Sequence, residues 1–145
     1  MAAKTLDEIG QTQRERLFHI DFRAFFLGGI RRGDLVARFG IAEAAATRDL
    51  ALYRSLAPGN LIFNGSGKFY EAAPGFAPLF AHDPGHSLHA LAEGVGDDAA
   101  QALPPHLRIE RPMRPAAPSL PILAAVSRAI ASQTALKVRY LSLTS

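Results

Sequence analysis

The stretch from Arg31 to Leu50 restricts the possible folds more than any other part of the chain. Its first half, Arg31-Arg32-Gly33-Asp34-Leu35-Val36-Ala37-Arg38-Phe39-Gly40-Ile41, reads as a short helix from Arg32 to Phe39 and a turn. Leu35, Val36 and Phe39 are its core residues, Gly40 permits the tight turn, and Ile41 returns the chain to the core. A second helix is predicted from Glu43 to Leu56, with Ala46, Leu50 and Tyr53 inward at i, i+4 and i+7. Pro58-Gly59 ends it. The outline is a helix-turn-helix.

A longer helix is predicted before this pair, from about Thr12 to Leu27. Leu17, Ile20, Ala24 and Leu27 form one apolar stripe, and Phe18, Phe22 and Phe25 form a second beside it. Arg14, Glu15, Asp21 and Arg23 are assigned to solvent. Gly28-Gly29 stops the helix. The double stripe fits a thoroughly buried helix, or one that gives a stripe to another subunit. After the pair, Leu61-Ile62-Phe63 and Lys68-Phe69-Tyr70 are β-prone runs around Asn64-Gly65-Ser66-Gly67, a strong hairpin signal. Three helices and a hairpin are the order of a winged helix-turn-helix, with Lys68 beside the wing tip. The fold class is therefore α+β and mostly helical.

Beyond Ala73 the chain is punctuated by proline. A short amphipathic helix is expected near Ser87–Glu93 with Leu88 and Leu91 inward. A short strand is expected over His106–Glu110, a Pro/Ala linker over Arg111–Pro121, and a helix over Ile122–Ala131. Leu136-Lys137-Val138-Arg139-Tyr140-Leu141 alternates as a half-buried strand does. A lone strand at a chain end is a liability, so it either joins an existing sheet or belongs to a longer protein; the second is preferred.

The 145 residues, 48% of them hydrophobic, suffice for one domain, or a small domain and part of another. Sixteen Lys and Arg against 13 Asp and Glu give +3, too even to mark a nucleic-acid partner by itself. Most of the cations are Arg, whose planar fork suits phosphates and guanine edges; a GC-rich genome produces the same bias. With no Cys, a disulfide framework and a Cys-based zinc site are excluded. No apolar run approaches a membrane span, and the N-terminus lacks a signal-peptide core. A cytoplasmic protein with no membrane partner is expected.

If the second helix of the pair lies in a major groove, Ala42, Glu43, Ala44, Ala45, Thr47 and Arg48 are exposed there. Arg48 suits a bidentate guanine contact, and Thr47 a phosphate or a thymine methyl. Glu43 either accepts from a cytosine amine or caps the helix start. The alanines allow close approach with few hydrogen bonds, which shifts weight to shape and phosphate contacts. The expected base contacts are Glu43, Ala44, Thr47 and Arg48. The expected backbone contacts are Arg31, Arg32, Arg54 and Lys68. The competing reading of each is an ordinary solvated charge.

His82, His86 and His89, with Asp83, invite a zinc reading. Pro84-Gly85 breaks any single helix across them, and the spacing falls short of a zinc pattern. Gly65-Ser66-Gly67-Lys68 lacks the full phosphate-loop pattern and its strand-to-helix setting. No Ser/His/Asp elbow occurs. No metal, cofactor or catalytic residue is expected, and the chain is not read as an enzyme; a small metal-dependent enzyme using the three histidines is the weakest alternative.

The stretches Arg-Arg-Gly-Asp-Leu-Val-Ala-Arg-Phe-Gly-Ile, Ala-Thr-Arg-Asp-Leu-Ala-Leu-Tyr, Leu-Ala-Pro-Gly-Asn-Leu and Lys-Phe-Tyr-Glu-Ala-Ala-Pro-Gly-Phe-Ala-Pro-Leu-Phe, within Arg31–Phe80, resemble WYL-domain transcriptional regulators of the CapW/BrxR type. The helix before them, Arg16–Gly29, is also similar, and Ile122–Ile130 with Ala135–Ser142 resemble the entry to the WYL domain. The resemblance implies a homodimeric, sequence-specific repressor of double-stranded DNA, acting on a palindromic operator and controlling anti-phage defence genes. It implies residues 1–80 as the winged helix-turn-helix, 81–118 as a connecting segment with one short helix, and 119–145 as the start of a truncated WYL-like domain. The chain has no Trp, so the Trp-Tyr-Leu motif is absent. The effector ligand of the missing domain is unknown. The alternative is a winged helix that binds a protein partner without reading DNA.

Overall fold

The computed structural model describes residues 5–93 and 118–141. The strand expected over 106–110 and most of the Pro/Ala linker lie outside the described residues. A 3-10 turn, Leu6–Glu8, is closed by the Glu8 carboxylate, which accepts the Thr5 N–H at 2.9 Å. Helix α1, Gln11–Leu27, follows, and Gly28 ends it with φ +87°. That left-handed conformation is costly for any residue with a Cβ.

Next come β1 (Gly29–Ile30), α2 (Arg32–Phe39), α3 (Glu43–Leu56), β2 (Leu61–Asn64) and β3 (Phe69–Ala72). Gly40, at φ +62°, makes the turn between α2 and α3. The hairpin tip is closed by Asn64, whose side-chain oxygen accepts the Gly67 N–H at 3.1 Å. The three helices and the hairpin stand where the sequence predicts them.

Strand β1 is an addition. It pairs antiparallel with β3, Gly29 opposite Glu71 and Ile30 opposite Tyr70, so β3 is central in the order β1-β3-β2. Two residues carry no readable alternation, which is why the pattern missed them. Gly29 is required by contact: a Cβ there would stand 2.5 Å from the Tyr70 carbonyl oxygen.

Helix α1 divides the interior into two cores. Its Leu17, Ile20 and Ala24 join Ile30, Leu35, Ala46, Leu50, Tyr53 and Leu61 under the helix-turn-helix. Its Phe22, Phe25 and Phe26 meet Leu91 of α4 (Pro84–Glu93) and Leu123 and Ala124 of α5 (Leu120–Ser132). Of the second stripe, Phe22 and Phe25 are thus covered from within the chain, whereas Phe18 stays 39% exposed. Arg128 of α5 fastens the same junction, donating its Nε–H to the Phe25 carbonyl while its guanidinium lies over the Phe25 and Phe76 rings.

Two further expectations are corrected. Asp21, assigned to solvent, has no exposed surface. Arg23 is mostly covered as well, 3.7 Å from Asp34. The run Leu136–Leu141, expected as a half-buried strand, forms neither strand nor helix and is exposed, with no strand partner among the described residues. Alternation fits a strand to a sheet only where a sheet edge is offered, and none is offered there. Among the described residues no helix is long and apolar enough to cross a membrane.

Candidate nucleic-acid interface

Helix α3 is held from behind and open in front. Ala46, Asp49, Leu50 and Tyr53 are its buried residues. Asp49 is the polar anchor: it accepts from Gln13 at 2.9 Å and from both Nε and Nη2 of Arg16, tying the middle of α3 to the first half of α1. The two-pronged guanidinium contact fixes orientation as well as distance.

The opposite face carries Ala42, Glu43, Ala44, Thr47 and Arg48, all exposed, with Ala45 half-buried beside them. Arg48 has no hydrogen bond or ion pair among the described residues. It lines an open cleft of about 410 Å³ together with Gly10, Gln11, Thr12, Gln13, Arg16, Ala45 and Asp49. Glu43 is engaged: its carboxylate lies 3.4 Å from Arg32 of α2. Thr47 donates its hydroxyl to the Glu43 carbonyl at 2.9 Å, so its hydroxyl hydrogen is already engaged.

The four cations expected at the DNA backbone are all exposed: Arg31 just before α2, Arg32 on α2, Arg54 on α3 itself and Lys68 in the hairpin turn. Arg31 lies over the Phe69 ring and Arg54 over the Tyr70 ring, each at 5.5 Å, so both are steered by aromatic residues of β3. Lys68 projects from the hairpin tip at φ +52°, a left-handed position. The sequence did not reveal that the wing orients the cations of the helices.

The histidines are not a metal centre. His82 is buried against Asp21 at 2.7 Å, whereas His86 and His89 are exposed. Among the described residues no group of three or more His, Cys, Asp or Glu could hold a metal ion. The Asp21–His82 pair was missed, but α1 held a clue. Asp21 follows Leu17 by four and precedes Ala24 by three, which places it on the buried stripe.

Three helices closed by a small antiparallel sheet, with one face of α3 exposed, define a winged helix-turn-helix domain. The model of the BrxR transcriptional regulator winged helix-turn-helix domain matches residues 12–93, and the chain belongs to that family. It is 33% identical over 141 residues to a DNA-binding transcriptional repressor CapW of Stenotrophomonas maltophilia, covering 90% of this chain and 46% of that relative. It is 38% identical over 68 residues to a CapW repressor of Escherichia coli (strain KTE188), covering 47% of this chain and 23% of the relative. A Pseudomonas aeruginosa CapW repressor is 35% identical over 68 residues, again 47% and 23%. The chain spans less than half the length of these relatives. They are named as repressors, in keeping with the expectation that the chain is not an enzyme.

Proposed function

We propose that this chain is the DNA-binding part of a transcriptional repressor that occludes a promoter. The observation that carries the reading is α3: it is anchored by Asp49 and Tyr53 on one side and presents Thr47 and an unpaired Arg48 on the other. A helix so placed can enter a major groove, with Arg48 reading guanine and Thr47 a thymine methyl. Ala44 allows close approach. Arg31, Arg54 and Lys68 would grip phosphates. Arg32 and Glu43 would contribute only after exchanging each other for DNA.

The test is a salt titration with duplex DNA, first of random sequence and then selected from a random pool. Affinity should fall steeply with salt as counterions are released. Arg48→Ala should weaken the selected duplex by about 1–3 kcal/mol and relax base preference at one position per half-site. An equal loss on all sequences would mean that Arg48 touches only phosphate. No binding at ~50 mM salt would end the DNA reading. In that case a protein-interaction module is favoured, since Ile62 and Phe63 on the edge strand β2 are each 52% exposed.

We further infer a homodimer on a palindromic operator. Its support is the uncovered apolar face of α5, Ile122, Val126 and Ile130, and the unpaired segment after it. Only monomer in sedimentation at micromolar concentration would contradict it. The resemblance carries the further readings: a cytoplasmic protein controlling anti-phage defence genes, with a WYL-like domain beginning near residue 119 and an effector still unidentified.

A further inference from the structure

Asp21 receives donors from two parts of the fold at once. From α3, Tyr53 donates its hydroxyl to Oδ1. From the segment leading into α4, the Leu79 N–H reaches Oδ1 at 2.9 Å and the Phe80 N–H reaches Oδ2 at 3.1 Å. Nε2 of His82 lies 2.7 Å from Oδ2. A carboxylate has about four acceptor directions, and four donors are aimed at this one.

The surroundings leave no substitute for any of the four. Asp21 and the His82 side chain are inaccessible to solvent, and Phe18, Phe22, Phe25 and Phe26 enclose the imidazole with ring centroids between 4.9 and 6.0 Å away. Nδ1 of His82 has no partner there. Asn60 doubles the connection: its Nδ2 donates to the Tyr53 hydroxyl at 3.2 Å and to the Ala77 carbonyl at 2.7 Å. Its Oδ1 accepts the Ala77 N–H at 3.1 Å. Helix α3 and segment 77–82 therefore hang on the same buried polar groups. That segment runs directly into α4, which shares its core with α5.

We propose that Asp21 is a positioning residue for α3, and that through His82 and Tyr53 a displacement of α4 or α5 alters the pose in which Arg48 meets DNA. The physical reason is the cost of a partly satisfied buried carboxylate. If segment 79–82 moves away, Asp21 loses up to three donors in a site that water does not reach, and Tyr53 has to re-aim to compensate. An apolar contact would slide and transmit nothing. The proposal rests on the reading of α3 as the DNA-reading helix.

The experiment uses the full chain and two duplexes of equal length, one selected by the wild type from a random pool and one random. His82→Leu should lower the ratio of selected to random affinity by about fivefold or more, the lower end of ordinary coupling between sites. Random-duplex affinity and its salt slope should stay unchanged, because the phosphate contacts remain. His82→Gln, which keeps a donor toward Asp21, should restore most of the ratio. Tyr53→Phe combined with His82→Leu should be no worse than the stronger single change. If His82→Leu does not fold, Tyr53→Phe alone, lacking one hydroxyl, carries the same comparison. An unchanged ratio in variants that merely melt earlier, or full additivity of the two changes, would overturn the proposal and leave Asp21 as support for the fold. A wild type that selects no sequence over random DNA would instead overturn the reading of α3.

Discussion

Arg32 and Glu43 face each other across the helix-turn-helix, Nη2 lying 3.4 Å from Oε2, with both side chains largely exposed. The pair joins the start of α2 to the start of α3 at the surface that would meet DNA. An exposed pair of this kind contributes at most about 1 kcal/mol to stability. Its larger effect is on charge, since Glu43 holds an acid where phosphates would approach and occupies a cation that could meet them. Glu43→Gln should therefore tighten binding to random duplex DNA several-fold at low salt and steepen the salt dependence by about one phosphate contact. A uniform loss of affinity, or loss confined to one base position, would show instead that Glu43 contacts the DNA directly. Fluorescence anisotropy over a salt series measures both quantities.

Asp49 provides the second prediction. It is almost wholly buried, and the Arg16 guanidinium with which it pairs is mostly covered. Asp49→Ala would leave that cation beneath α3 without its partner. The expected loss is about 3 kcal/mol or more, the scale of a buried pair broken on one side. Denaturant unfolding should show a lower midpoint with an unchanged slope. Replacing Arg16 and Asp49 together by Met and Leu should cost clearly less than Asp49→Ala alone; equal losses would show that the helices depend on the ion pair itself.

The helices and hairpin were legible because each rests on local signals. Gly40, Pro58-Gly59 and Asn64-Gly65-Ser66-Gly67 punctuate runs whose apolar spacing is unambiguous. The Leu-Ala-Pro-Gly-Asn-Leu stretch was recognisable, but its role was not: Asn60 is buried and ties α3 to Ala77, a contact 17 positions away. Asp21 was misread for the same reason. A charged residue on a helix is assigned to solvent unless its donors are known, and those donors lie 32 to 61 positions further along the chain. At the interface the exposure of Thr47 and Arg48 followed from helical period alone. The pairing of Glu43 with Arg32, and the stacking of Arg31 and Arg54 on the wing, required the fold.

His19 links stability to pH. Burial, aided by Arg23 and Arg38, pushes its pKa from 6.5 down to about 3. Its ring packs edge-on against Phe39 in the neutral form. Between those two values the unfolded chain binds a proton at His19 that the folded chain refuses, so stability falls as pH falls. The contribution is complete above about pH 6.5 and declines by at most about 1.4 kcal/mol per pH unit below it, or about 2 kcal/mol by pH 5. The window from pH 6.5 to 5 lies above the ordinary carboxylate range. Urea midpoints at pH 7 and pH 5 should therefore differ in the wild type and converge in His19→Leu. An equal pH dependence in the variant would remove His19 as its source.

Two glycines four residues apart, Gly29 at the start of β1 and Gly33 in α2, should respond to alanine with opposite signs. At Gly29 an added Cβ would stand 2.5 Å from the Tyr70 carbonyl oxygen and 3.3 Å from the Phe69 ring. The obstacle is backbone already paired in the sheet, so it cannot swing aside as a side-chain tip can. Gly29→Ala should separate β1 from β3 and cost about 1–3 kcal/mol, as overpacking typically does. At Gly33, inside α2, nothing lies within 4 Å of the added Cβ. Gly33→Ala should stabilise the fold by about 0.5–1 kcal/mol, because the unfolded chain loses freedom that the helix never used. Thermal unfolding of the two variants beside the wild type measures both effects. A stabilised Gly29→Ala would mean that β1 pairs too loosely with β3 to define the third strand of the wing.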